Sequence, residues 1–441
     1  MKILILDPYP KRPYRISKDT SGGYGTANRF GDGLASRMIT RLFSNEVDWP
    51  PLHCVYTAGV LKEQGHDVSY ARDWPEGVTF DLCLVTSSIV CHETELDAIE
   101  RAAAKGIPVG VIGPFATTMP EPYQERGAFV IKGEPEMFFR AHHLDAGILD
   151  TFQGAIPAAE TVSLDDLPLP AWDIVFPAAP PKFGLFGGKE TVLPIVASRG
   201  CPYSCMNYCT YPLQQGRTVR TRAPEKIVAE MAHWQDTLGV SYFIFRDPVF
   251  AINQKHAYAL CDAIEASGRR FRFTVETHLR NMEPDLAQRL AAAGMDMVKV
   301  GIETVDPKVL DSAKRMSMEG DEQRQRITML EDMGVKVTCH YILAMPGESP
   351  DTWKSTLKYA RRLNTLFAQI SVFTPYPGTP AFTEFEDKVL AKTYESFTQY
   401  DLVFRHENLT PEQVRTMLSA AYNVYYLRPS WVLKYLRMRF A

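Results

Sequence analysis

Long apolar runs are missing from this 441-residue chain. No stretch approaches the ~18 uninterrupted apolar residues of a membrane span, so a transmembrane segment is not expected. The first run, Ile3-Leu4-Ile5-Leu6, stops at Asp7, too short for an export signal. Cysteine is scarce as well: eight residues in a chain of this size are too few for a disulfide scaffold. The cytoplasm is therefore the expected compartment. Charge of one sign is lacking too. A net charge of −4 leaves no basic footprint for nucleic acid. Ser21–Gly33 is rich in glycine but has no Gly-Lys-Ser/Thr ending, which rules out a P-loop.

What is present is ordinary globular material, 45% apolar and 23% charged, with length for two or three domains. Lys2–Leu6 reads as a strand buried on both faces. A helix over Leu52–Gly65, strands at His66–Val68, Asp81–Thr86, Val109–Ile112 and Phe129–Ile131, and a helix over Glu93–Lys105 continue the pattern. This alternation predicts a doubly wound parallel sheet over residues 1–150, with ligands at the carboxyl edges of its strands. The segment Lys11–Trp49 is too long for a plain connection, and reads either as a lid or ligand cradle or as a flexible excursion. Proline-rich text then marks residues 151–189 as a linker.

A second series of strands follows over residues 190–385, at Val192–Ala197, Ser241–Phe245, Phe271–Val275, Met297–Gly301, Val335–Leu343 and Ala368–Phe373. Helices separate them, and each strand ends in a polar or Gly/Pro cluster. Right-handed crossovers wrap such a series into an open, partial barrel whose strand ends share one mouth. Residues 386–441 read as a helical segment, and the basic face of Lys434, Arg437 and Arg439 as a solvated packing surface rather than a membrane anchor.

Just past the first barrel strand comes Ser198–Pro212, SRGCPYSCMNYCTYP, with Cys201, Cys205 and Cys209 in even spacing. Three thiols within nine residues can converge on one metal centre. Structural zinc normally takes four ligands. An iron–sulfur cluster held by three thiolates leaves one iron open to bind something else. The remaining cysteines, Cys54, Cys83, Cys91, Cys261 and Cys339, are isolated among apolar residues and read as small hydrophobes.

A cysteine loop on the first strand of a six-step βα series resembles the radical S-adenosylmethionine (SAM) superfamily. That family's usual spacing is Cys-x3-Cys-x2-Cys; here the second gap has one more residue, and Tyr208 supplies the aromatic before the last cysteine. The resemblance implies a [4Fe-4S] cluster on Cys201, Cys205 and Cys209, with SAM on the open iron. It places cofactor-binding residues at Tyr208, at Asp247 after the second barrel strand, at Arg280 and at Glu303 in Gly-Ile-Glu-Thr. Met345, in Met-Pro-Gly-Glu, falls at the adenine turn. The first domain resembles the cobalamin-binding subgroup through Pro50-Pro51-Leu52, Gly65–Val68 and Gly133–Glu136. The Asp-x-His-x-x-Gly cobalt signature is absent, however, and Gly113-Pro114-Phe115 puts bulk where a corrin tail should pass, so cobalamin is not expected. The fold class is thus α/β: a Rossmann-like, cobalamin-binding-type domain, a partial (β/α)6 radical SAM barrel and a helical C-terminal segment.

Within the family the cysteine spacing resembles the radical SAM diol-dehydratases of aminoglycoside antibiotic biosynthesis. That likeness implies removal of the 3′-hydroxyl of a sugar such as paromamine through a 5′-deoxyadenosyl radical. It implies a reducing electron donor, and a separate NAD(P)H-dependent reductase acting on the 4′-ketone. A base is then needed at the 4′-hydroxyl, and Glu276 and His278 are the candidates by type and position. The alternatives are a cobalamin-dependent radical SAM methyltransferase and a non-catalytic iron–sulfur or zinc scaffold.

Overall fold

A computed structural model describes residues 1–44, 49–158, 163–178, 180, 182–183, 190–203 and 208–440. The first sheet contains β1 (Lys2–Leu6), β2 (Asp67–Ala71), β3 (Leu82–Thr86), β4 (Val109–Ile112), β5 (Phe129–Lys132) and β6 (Ala155–Pro157). All pairs are parallel, in the order β2-β1-β3-β4-β5-β6. The unbroken apolar run of β1 has a direct cause. Ile3 and Ile5 pack with Ala58, Leu61 and Phe138 on one face, while Leu4 and Leu6 pack with Ile99 and Phe115 on the other. The strand order reverses between β1 and β3, which opens a crevice at their carboxyl ends.

The second sheet runs β13-β12-β11-β10-β9-β8-β7. Its members are β7 (Lys182–Phe183), β8 (Glu190–Ile195), β9 (Tyr242–Phe245), β10 (Phe273–Thr277), β11 (Met295–Glu303), β12 (Lys336–Leu343) and β13 (Phe367–Val372). The six strands β8 to β13 are parallel, and β7 adds an antiparallel edge. Helices Pro224–Leu238, Gln254–Ala266, Pro284–Ala292, Gly320–Asp332 and Pro350–Leu363 alternate with them. The sheet curls without closing, so β13 has an open side. Helix Pro411–Tyr426 covers it: the Tyr422 hydroxyl donates to the Ile370 carbonyl at 3.0 Å and accepts its N–H at 3.1 Å. One turn on, the Tyr426 hydroxyl treats Ala368 likewise, at 2.7 and 2.9 Å. Residues four apart on a helix match alternate residues on a strand, so two side chains satisfy an edge that would otherwise be exposed.

Two expectations change here. Ala155–Pro157, inside the stretch read as linker, pairs with β5 as an edge strand, and Trp172 further along is fully buried. The Lys11–Trp49 segment is not a flexible excursion where it is described. It forms an antiparallel ladder, Ile16–Ser17 on Thr26–Ala27, then the helix Leu34–Ser44. Lys18 and Tyr24 within it are completely buried. Among the described residues, no helix is long and apolar enough to cross a membrane.

Candidate active site

The cysteine loop hangs from a closed base. Ser198 and Arg199, just past β8, pair antiparallel with Thr221 and Arg220. Gly200 has φ +88°, and a Cβ there would run into the Thr218 carbonyl, so only glycine permits this approach. The Cys201 N–H donates to the Gly216 carbonyl at 3.2 Å. Cys201 is buried and Cys209 half-buried, while Cys205 lies outside the described residues. Tyr208 meets Phe373, past the end of β13, edge-on at 5.4 Å between ring centres. Among the described residues no three His, Cys, Asp or Glu side chains converge as a metal site. Three thiols closely spaced on one loop suit a cluster with one open iron, whereas closed tetrahedral zinc takes four ligands.

A buried clamp fixes the base of the loop to the first sheet. The Arg199 guanidinium sits between Glu134 and Glu136, just past β5, and Arg220 reaches Glu134 at 2.7 Å. Arg199 also lies over the Tyr56 ring at 5.3 Å. Burial disfavours its charge, but Glu136 and Glu134 outweigh that and keep it ionised. Burial would raise Glu134, yet Arg199 and Arg220 together hold it below the usual carboxylate range.

The residues singled out at strand ends fall into different roles. Asp247 is buried, its two oxygens taken by the Ala197 N–H (2.8 Å) and the Ser198 hydroxyl (2.6 Å). It ties β9 to the start of the cysteine loop rather than presenting an open acceptor. Burial pushes its pKa up to about 6 against those bonds. Glu303 follows a register shift in β11, has φ +64°, and pairs with Arg315 at 2.9 Å. Burial raises its pKa while Arg315 opposes the rise. Met345 is fully buried in a turn that Glu348 closes on the Ala344 N–H at 2.6 Å. Burial pushes Glu348 up to about 8. Arg280 is exposed and donates to the Ser317 carbonyl at 2.7 Å. His278 has both ring nitrogens engaged, one with the Met316 carbonyl at 2.8 Å and one accepting the Arg280 N–H at 3.2 Å. Its place is structural, since no lone pair is left for a substrate proton. Glu276 is half-buried on the inner face of β10, opposite Lys299 of β11.

A narrow cleft opens between the two sheets. Its walls include His53, Glu134 and Asp19 from the first part of the chain, and Arg199, Tyr211 and Arg246 from the barrel mouth. Arg246 grips Asp19 through Nη2 at 2.6 Å and Nε at 3.0 Å. His53 is buried with Nε2 unpartnered, and burial pushes its pKa down to about 3, so the imidazole is neutral. Sequence reasoning missed these three residues and Arg199. Arg199 and Arg246 each adjoin a singled-out motif, which was the available signal. Beside the cleft, the crevice between β1 and β3 is already filled. The Lys18 ammonium lies 3.1 Å from Asp7 and 2.9 Å from Glu95, all three side chains being fully buried, and donates to the Thr86 carbonyl at 3.1 Å.

Comparison with known proteins matches this geometry. Residues 195–360 fit the model of the Radical SAM superfamily. The chain is 24% identical to an uncharacterized methyltransferase of Pyrococcus horikoshii, over 87% of this chain and 89% of the relative. It is 23% identical to the bacteriochlorophyllide d C-12(1)-methyltransferase of Chlorobaculum tepidum, over 76% and 72%. Its fold superposes on the radical SAM methyltransferase TsrM of Kitasatospora setae with a TM-score of 0.69 at 16% identity, covering 96% of this chain and 91% of that one. Two expectations fall with these findings. Relatives spanning both sheets are methyltransferases, so the diol-dehydratase reading, with its aminoglycoside dehydration, does not stand. TsrM was solved with cobalamin and a [4Fe-4S] cluster bound, so a fold of this kind accommodates cobalamin and the exclusion drawn from Pro114 and Phe115 fails. The half-barrel that carries the cysteine loop is thus the part of the chain that matches the Radical SAM superfamily model.

Proposed function

We propose that the chain is a cobalamin-dependent radical SAM methyltransferase acting on a small organic acceptor. The observation that carries the reading is the shared cleft: one opening is lined at once by the carboxyl edge of the first sheet and by the mouth of the barrel. A methyltransferase of this kind needs its methyl carrier and its SAM site to face each other across one acceptor. His53, on the cleft wall, offers a neutral imidazole with an unpartnered Nε2. Gly113, at φ +121°, sits tight against it, since a Cβ there would run into Ser87 and His53. Lys18 already fills the neighbouring crevice, so cobalamin would be held from the His53 side of the cleft rather than between β1 and β3.

When bound, the cluster supplies the electron that activates SAM, and cobalamin supplies the methyl-transfer centre. The chain's own part is to hold and to exclude. Cys201, Cys205 and Cys209 would ligate the cluster, on a loop held by Gly200, by Asp247 and by the clamp at Arg199. Tyr208, packed on Phe373 past β13, and the Met345 turn past neighbouring β12 both stand at the mouth. The Arg246–Asp19 pair draws the N-terminal segment over the barrel and keeps water from its interior.

Anaerobic reconstitution with iron, sulfide and cobalamin tests the reading. Expected are a cluster spectrum that Cys209→Ala abolishes, cobalamin that co-elutes with the protein, and S-adenosylhomocysteine formed from SAM. Protein that forms its cluster yet neither retains cobalamin nor makes S-adenosylhomocysteine would count decisively against it.

A further inference from the structure

The inner face of the barrel carries a layer of polar groups left without partners. Alternation along the strands sorts the side chains: Val275, Val298, Val300 and Cys339 pack under the helices. Their neighbours Glu276, Lys299 and His340 therefore face the lumen from β10, β11 and β12. Glu276 stands opposite Lys299 in register, and His340 opposite Gly301, two residues further along the same face. His340 Nε2 has no hydrogen-bond partner. Among the described residues, the side chains of Glu276 and Lys299 make no hydrogen bond or ion pair either.

The other charges at this mouth are committed. Arg246 holds Asp19, and Arg315 holds Glu303. What remains is one cation, one anion and one imidazole, half-buried together. Burial lowers the pKa of both Lys299 and His340, and Glu276 opposes the shift in each, so the three groups sense one another. Leaving charged groups without a hydrogen bond or ion pair inside a protein is costly. Side chains kept that way at the mouth of a barrel mark a ligand site. Neighbouring strands lie about 4.8 Å apart, close to the spacing at which two such heads can meet an ammonium and a carboxylate on one carbon.

We propose that Glu276, Lys299 and His340 form the acceptor site, and that the acceptor is a zwitterionic α-amino acid. Its carboxylate meets Lys299, its ammonium meets Glu276, and His340 Nε2 takes a further hydrogen bond. Naming this ligand the methyl acceptor rests on the methyltransferase reading; its binding does not. The cleft leads to the layer past Arg246 and Tyr211, which line the one and adjoin the other.

The test uses the full reconstituted chain. Thermal shift against the twenty standard amino acids is expected to show stabilisation by at least one. Its analogues lacking the carboxylate or the ammonium should bind at least about tenfold more weakly, as should that amino acid to Lys299→Met, since a charged hydrogen bond is lost in each case. Without ligand, Lys299→Met should keep a cooperative melting transition, which separates lost binding from lost fold. SAM affinity should be unchanged. A panel with no stabilising amino acid, a fall in SAM affinity, or undiminished amino-acid binding by folded Lys299→Met would each overturn the assignment. S-adenosylhomocysteine formation in the parent protein, read separately, judges the methyltransferase reading alone.

Discussion

The two sheets treat their carboxyl edges in opposite ways. At the first, the chain fills its own crevice: Lys18 enters between β1 and β3 and meets Asp7, Glu95 and Thr86, so each charge finds a partner. At the second, Glu276, Lys299 and His340 line a lumen, and among the described residues the first two make no side-chain hydrogen bond or ion pair while His340 Nε2 has no hydrogen-bond partner. Both sheets place strand ends where a ligand belongs. The difference shows that topology offers a site while side-chain satisfaction decides whether it is vacant. A paired charge set holds the fold together; an unpaired one waits for something from outside.

The contrast breaks most sharply at Lys18. Lys18→Met leaves Asp7 and Glu95 buried without their cation, and the expected loss is about 3–5 kcal/mol, read as a fall in denaturant midpoint. Burial would raise Asp7, but Lys18, Thr86, Arg72 and Tyr70 hold it below the usual range. Its contribution is therefore present at neutral pH and is lost as pH falls through that depressed value.

Arg199, where the two edges meet, ranks next. Arg199→Met leaves Glu134 its second partner Arg220 but strips Glu136. A loss of about 2–3 kcal/mol is expected, together with lower cluster occupancy, measured as iron per chain after reconstitution.

A pH series sharpens the barrel side. Glu348 keeps its proton in the fold up to about pH 8, whereas the unfolded chain loses it near the ordinary value of 4.5. Its stabilisation is complete below that lower value and disappears as pH rises through the window. The slope is at most about 1.4 kcal/mol per pH unit. Glu348→Gln should flatten the decline between pH 5 and 8 in a denaturation series by about that slope, leaving stability below the window nearly unchanged.

Much of the scaffold was legible because its strands are long apolar runs with polar ends. The six parallel barrel strands and the first four or five of the doubly wound sheet follow from that pattern alone. Two-residue ladders such as Ile16–Ser17 with Thr26–Ala27 have no period to detect, and three-residue β6 adjoins Gly154 and ends in Pro157. At the site, residue type was readable but partnership was not. His278 looks like a base until the Met316 carbonyl and the Arg280 N–H are found on its two nitrogens. Asp247 looks like an open acceptor until Ala197 and Ser198 take both its oxygens. Lys18 carried no signal, since a lysine in a polar loop gives no hint that tertiary packing will bury it. The dehydratase reading failed for a related reason. Cysteine spacing reports how a loop is shaped, not which bond of a substrate the enzyme attacks.

The Arg199–Glu134–Glu136 clamp also makes the cysteine loop depend on the other half of the chain. The stretch that must receive iron and sulfide is pinned at its root by side chains arriving from β5, over sixty residues upstream. A barrel made without the first sheet would keep Arg199 and Arg220 but lose both carboxylates that hold them. The cysteines would then hang from an unanchored root when the metal is delivered. The N-terminal half thus supplies both carboxylates that fix the root of the cysteine loop.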